Sequence, residues 1–187
     1  PSVPTTKISE FQVADIEGND VTEEILSHKG RSIMIVNYKL NGVVDQETVT
    51  VRDTVYQIDT IQSQDNEDQI VRRDPEIIEK EETVNIYTWD KSYQLPFINT
   101  VVPFARLAKD AGIKVYSITK FYDPEKIEDF LKTIQADFPM YTADDILLKT
   151  IVRSNPGILY LEDATIIDKW HHKQLPDFDK FKEKYID

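Results

Sequence analysis

The 187-residue chain contains no cysteine. Disulfides, thiolate nucleophiles, cysteine-ligated zinc and iron–sulfur clusters are therefore excluded outright, and thiol usage says nothing of compartment. Long apolar runs are missing as well. The longest, Ile33 to Val36, falls far short of the roughly 20 residues that cross a bilayer. No secretory signal is visible, because the chain opens P-S-V-P-T-T-K without a basic start or an apolar stretch. The absent initiator methionine points to Pro1 as a cut point. Positive charge is scarce: 22 Lys and Arg against 34 Asp and Glu give a net −12, which disfavours nucleic acid or an anionic lipid surface as partner. Glycine-rich nucleotide loops, a Walker loop, G-x-S-x-G and H-E-x-x-H are all absent, so no catalytic set and no cofactor is assigned.

Three histidines are present. His171 and His172 are adjacent on or just after a strand, so their side chains are expected on opposite faces, and His28 is distant and helical. No metal site is expected from them. Asp65, Glu67 and Asp68 form an acidic patch, but the glycine and bidentate glutamate of a calcium loop do not fall into place around them.

What the chain does have is length enough for one good core, with 40% hydrophobic and 30% charged residues. Residues 1–10 are polar, proline-punctuated and read as a linker or arm. Phe11 to Val21 reads as a short strand and hairpin turning at Glu17–Asp20, with Thr22 capping a helical turn over Glu23–His28. Ser32 to Leu40 is apolar on both faces through its first half, as in a central strand covered by helices on both sides. Phe97 to Ala111 reads as the following helix, and Ile113 to Thr119 as a second central strand parallel to the first. Asp123-Pro124 opens another helix with its stripe at Ile127, Phe130, Leu131 and Ile134. Phe138 to Tyr141 is a short extended connection. Asp177 caps a terminal helix with Phe178, Phe181 and Tyr185 facing inward.

Between the first strand and its helix lies an insertion, residues 45–90, with thirteen acidic and four basic side chains, or −9 of the −12. Thr48–Ile58 and Thr83–Trp89 are rich in residues that favour strands, and they flank a polar middle, Gln62–Asp74, without periodicity. The pattern predicts a β-hairpin arm with a mobile tip. Tyr56, Tyr87, Trp89 and Tyr93 are candidates for a recognition surface on this arm, simple packing of the arm on the core being the alternative.

The chain is organised around Ile146 to His172. Asp144 and Asp145 open an amphipathic helix whose face is read at Ile146, Leu147, Thr150 and Ile151. Asn155-Pro156-Gly157 ends it. Ile158–Leu161 and Thr165–Trp170 then form a hairpin around Glu162-Asp163-Ala164. A primed turn would hold Ala164 at positive φ, at about 1 kcal/mol, so a longer loop or a type I turn is expected.

Helix, X-Pro, strand, hairpin and terminal helix resemble the C-terminal half of a thioredoxin-like fold. The resemblance implies a three-layer α/β/α domain over residues 1–187, with the β-hairpin inserted after the first central strand. It also implies a cis bond before Pro156 and a docking place for an extended peptide at Ser154, Asn155 and Pro156, to which Tyr87 and Trp89 are added as arm candidates. D-D-I-L-L-K-T-I-V-R-S-N-P-G, followed by a hairpin and K-W-H, resembles more narrowly the soluble C-terminal domain of some bacterial DoxX-family membrane proteins. That resemblance implies membrane helices upstream, a membrane-tethered location and a protein partner. Where redox-active relatives place C-x-x-C, this chain has Asn41-Gly42-Val43-Val44-Asp45 and then the insertion. The expectation is thus a redox-inactive interaction or accessory domain. The alternatives are a thiol-independent enzyme using a pocket near Pro156, and an acidic insertion that binds a cation or a basic partner.

Overall fold

The computed structural model describes residues 11–56, 58–62, 68–72 and 75–187. The elements run, in chain order, β1 (Val13–Ala14), α1 (Thr22–Leu26), β2 (Arg31–Asn37), β3 (Gly42–Val55), β4 (Ile58–Gln62), β5 (Asp68–Arg72), β6 (Glu76–Trp89), α2 (Lys91–Pro96), α3 (Val102–Asp110), β7 (Lys114–Lys120), α4 (Pro124–Thr133), β8 (Met140–Ala143), α5 (Asp145–Ile151), β9 (Gly157–Glu162), β10 (Thr165–His171) and α6 (Phe178–Tyr185). Two compact units result: Pro1–Gly42 with Trp89–Asp187, and Val43–Thr88. The expected linker at residues 1–10 lies outside the described residues.

The larger unit is a six-stranded sheet in the order β1-β8-β7-β2-β9-β10. β2 and β7 are parallel, β9 runs antiparallel to β2, and β10 antiparallel to β9. Six consecutive residues of β2, Ser32 to Asn37, are buried, because helices cover both faces of the strand. Met34, Val36, Tyr116, Ile118, Leu159 and Leu161 share one face with Ile25 of α1 and Leu148 of α5. On the other side, Phe104 of α3 and Tyr160 of β9 both meet Phe181 of α6 edge to face, while Phe97 packs on Phe130 of α4. The polar groups in the central strands are tied across them: Asn37 Nδ2 donates to Ser117 Oγ (2.8 Å) and Thr119 Oγ1 to the Asn37 carbonyl (2.6 Å). A helix crossing between parallel β2 and β7, then a β9–β10 hairpin on the other side of β2 and a closing helix, is the thioredoxin-like connectivity. The fold is therefore a thioredoxin-like α/β/α sandwich, extended beyond β7 by β8 and β1.

Several local expectations are corrected. The helix after β2 begins at Lys91 rather than Phe97, passes through a π-helical stretch at Phe97–Val101 and continues as α3. Thr22 does not cap α1; its hydroxyl accepts from the Val13 amide (2.8 Å), which ties α1 to β1. Phe138–Tyr141 is more than a connection, since Met140–Ala143 pairs in parallel with β7 and antiparallel with β1. In α5 Leu148 is buried at 0% exposure and Ile151 packs against the core, while Ile146 is 71% exposed, so the apolar face lies one position further along than the expected one. The β9–β10 turn has two residues, Asp163 and Ala164, at φ 47° and 61°, the signature of a primed turn. Tertiary contact outweighs the local strain. The Asp163 carboxylate accepts from the Gly30 amide (2.8 Å), and the Asp163 amide donates to the Gly30 carbonyl (2.9 Å).

In the smaller unit, β3 pairs with β6 and β4 with β5. Part of the stretch read as an unstructured tip is therefore strand: Asp68–Arg72 runs antiparallel to Ile58–Gln62. Asp65 and Glu67 lie outside the described residues.

Candidate functional site

At the end of α5 the chain must reverse into β9 within five residues. Asp144 caps the helix, its carboxylate accepting from the amides of Ile146 (2.9 Å) and Leu147 (3.0 Å). Val152 is already extended, the Asn155–Pro156 peptide is cis, and Gly157 opens β9. A side chain at Gly157 would meet both Val152 methyl groups at 2.6 Å and Ser154 Oγ at 2.9 Å, so the tight return requires glycine.

This turn is fastened to the loop after β2. Asn155 Nδ2 donates to the Lys39 carbonyl (2.7 Å), with the Lys39 amide facing Asn155 Oδ1 at 3.4 Å. Tyr38 donates to the Arg153 carbonyl (3.3 Å), and the Leu40 amide donates to the Tyr122 hydroxyl (3.2 Å). Beside the turn opens a cleft of about 800 Å³, lined by Tyr38, Arg153, Ser154, Asn155, Lys169 and His171 among others. The main-chain groups of Ser154 and Asn155 make no hydrogen bond to any described residue.

The N-terminus of α2, which follows the arm, is Asp90-Lys91-Ser92-Tyr93. Asp90 accepts from the Ser92 amide and from Ser92 Oγ, each at 2.7 Å, and these bonds hold its carboxyl below the ordinary range. Tyr93 is 6% exposed, its hydroxyl lies toward Asn155 without a hydrogen bond, and burial pushes its pKa up. Lys126 sits over the Tyr122 ring at 4.9 Å and the Trp89 ring at 5.8 Å; burial, and then Lys120 nearby, push its pKa down.

Of the sequence-derived docking residues, Ser154 and Asn155 line the cleft, while Pro156 is buried and does not line it. Trp89 does not belong to a surface. It is 7% exposed, its indole donates to Asp129 (2.6 Å), and its ring packs on Phe130 at 4.9 Å. Tyr93 is likewise core, against Phe97 and Phe130. Tyr87 is half-buried on β6 in the smaller unit. His171 and His172 do not diverge: the strand ends between them and their rings sit 4.1 Å apart. Among the described residues no group of three or more His, Asp or Glu is placed to hold a metal. Sequence reasoning missed Tyr38, Tyr122 and the Asn155–Lys39 bridge. The aromatic cluster after each parallel strand, Tyr38 after β2 and Phe121-Tyr122 after β7, was the available signal, since the carboxyl ends of parallel strands are where α/β sheets bind ligands.

No protein-family profile matches the chain, and no curated protein matches it at significance. Among the solved structures that resemble it are a thiol:disulfide interchange protein from Bacteroides sp. (11% identity, TM-score 0.49, 94% of this chain and 84% of that one), and the thioredoxin domain of a thiol-disulfide oxidoreductase from Bacteroides vulgatus (12%, 0.49, all of both chains). The fold is thioredoxin-like by its own strand order. Among the described residues, no helix is long and apolar enough to cross a membrane.

Proposed function

We propose that the protein is a redox-inactive thioredoxin-like interaction domain that holds an extended peptide segment of a protein partner in the cleft beside Pro156. The observation that carries this reading is the pair of unbonded backbone units at Ser154 and Asn155, fixed at the cleft by the Asn155–Lys39 bridge. Backbone that lines a cleft with its hydrogen-bonding groups unpaired can recruit a strand by main-chain hydrogen bonds. With no thiol in the chain, such docking leads to no mixed disulfide. The resemblance of residues 141–176 to the soluble domain of DoxX-family proteins supports an accessory role beside a membrane protein, with the domain tethered to membrane helices.

The test is a screen of displayed random peptides against the 187-residue chain, followed by amide chemical-shift mapping of any binder. Shifts centred on Ser154 and Asn155, and binding lost in Asn155→Ala with its circular dichroism unchanged, are expected. Binders that map elsewhere, or measurable turnover of a disulfide substrate, would sink the reading.

A further inference from the structure

The β3–β6 ribbon presents two unlike faces. Gln46 Nε2 bonds Asn85 Oδ1 (3.4 Å) and Arg52 Nε bonds Glu79 Oε1 (3.1 Å), so residues whose numbers add to the same total stand opposite each other, as in an antiparallel ladder. Alternation then sets which side chains share a side. One side carries Val44, Gln46, Thr48, Thr50, Arg52 and Thr54 of β3 with Ile77, Glu79, Glu81, Thr83, Asn85 and Tyr87 of β6, a mostly polar face whose apolar members are Val44, Ile77 and Tyr87. The other carries Val43, Val49, Val51 and Val55 of β3 with Ile78, Val84 and Ile86 of β6. Val43 is 62% exposed, and Val51, Ile78, Val84 and Ile86 lie between 36% and 40%. Seven β-branched apolar side chains on one face of a two-stranded ribbon are more than solubility asks for, and a ribbon alone is marginal in water. The same valine face holds five carboxylates, Asp45, Glu47, Asp53, Glu76 and Glu82, against the one ammonium of Lys80. The threonine face holds only Glu79, Glu81 and Arg52.

We infer that the valine face is a docking surface for a protein partner whose contact is an apolar patch, such as the face of a β-sheet, ringed by Lys and Arg. Charge selects this occupant. Val43–Thr88 carries twelve acidic and four basic side chains, so a second copy would bring −8 against −8, and an anionic membrane would be repelled in the same way. The surface belongs to a different unit from the cleft and does not depend on what the cleft binds.

The probe is a nine-residue peptide alternating Lys and Val, titrated calorimetrically into the full chain at low and at physiological salt. A Lys–Ser peptide of equal charge and a Glu–Val peptide of equal apolarity serve as comparators. The Lys–Val peptide is expected to bind, more weakly as salt rises, and at least about tenfold more tightly than either comparator. Val51→Glu with Val84→Glu adds negative charge and removes apolar contact. A purely electrostatic surface would bind the Lys–Val peptide better in that variant, whereas the valine face should bind it about tenfold worse. Thr50→Glu with Thr83→Glu adds the same charge to the opposite face and should leave binding within about twofold. Val51→Thr with Val84→Thr keeps strand propensity and should also weaken binding, which covers the case in which the glutamates melt the ribbon. Equal binding of the Lys–Val and Lys–Ser peptides, unchanged or tighter binding in both valine variants, or wild-type dimers in ultracentrifugation that the valine variants dissolve, would overturn the inference.

Discussion

Ala164 occupies a position built for glycine. At φ 61° its Cβ crowds the following carbonyl, a strain of about 1 kcal/mol that the Asp163–Gly30 bonds hold in place. Ala164→Gly relieves the strain while adding freedom to the unfolded chain, so the net gain is expected to be positive and no more than about 1 kcal/mol. A urea midpoint that rises with an unchanged slope would show it; a midpoint that falls would mean the Ala164 methyl packs better than its strain costs. His172 gives a second test at this scale. Burial, and then the neighbouring His171, lower its pKa below the usual 6.5. A histidine whose folded pKa is depressed contributes stability that is present above pH 6.5 and is lost as the pH falls through that value toward the folded midpoint. Its NMR titration should centre below 6.5, and His172→Phe should flatten the acid limb of the stability profile between those two pH values. A midpoint at or above 6.5 would contradict this.

At the scale of elements, α5 is seven residues long and rests on its cap. The Asp144 carboxylate satisfies two amides that no intrahelical carbonyl reaches, and Asp144→Ala should cost about 1 kcal/mol, read as a lower thermal midpoint with the fold intact. A change smaller than a few tenths would mean water serves those amides equally well. The same helix shows why sequence patterning succeeds and fails. Asp144 was legible because a cap is local chemistry. The buried face was not, because two turns of Ile146, Leu147, Leu148 and Ile151 offer several apolar stripes of equal quality, and only the sheet beneath selects Leu148. β2 was legible because an unbroken apolar run has few other uses. Asn155-Pro156 announced the cleft, since proline must break a helix. Tyr38 and Tyr122 did not, because their bonds to Arg153 and Leu40 span 115 and 82 residues and leave no periodic trace. Trp89 was misjudged as arm surface for a related reason: strand propensity says nothing of where the strand ends, and its last residue belongs to the core.

At the scale of the molecule, the arm leaves and returns at one point. The Asp90 amide donates to the Asn41 carbonyl (3.2 Å), and a side chain on Gly42 would strike the Trp89 ring at 2.5 Å. Trp89 and Asp90 must therefore stay when the arm is removed. Replacing Val43–Thr88 by a short Gly-Ser linker should leave a cooperatively folded thioredoxin-like domain by near-ultraviolet circular dichroism, whereas removal through Lys91 should not, because it deletes the indole on Phe130 and the α2 cap. An unfolded product in the first case would mean that the core depends on the ribbon. The closed stem also bears on how the chain finds its fold. Parallel β2 and β7 are separated by 76 residues, and 46 of these are Val43–Thr88. If the β3–β6 ladder zips early, it acts as a splint across the gap: the search that brings β2 to β7 then runs over 30 residues rather than 76. Loop-closure entropy makes the difference worth a little under 1 kcal/mol at the folding barrier. Val49→Pro, which unzips the ladder, should thus slow refolding about threefold to fivefold while leaving the unfolding rate of the sheet nearly unchanged, and equal effects on both rates would show that the ribbon closes only after the core.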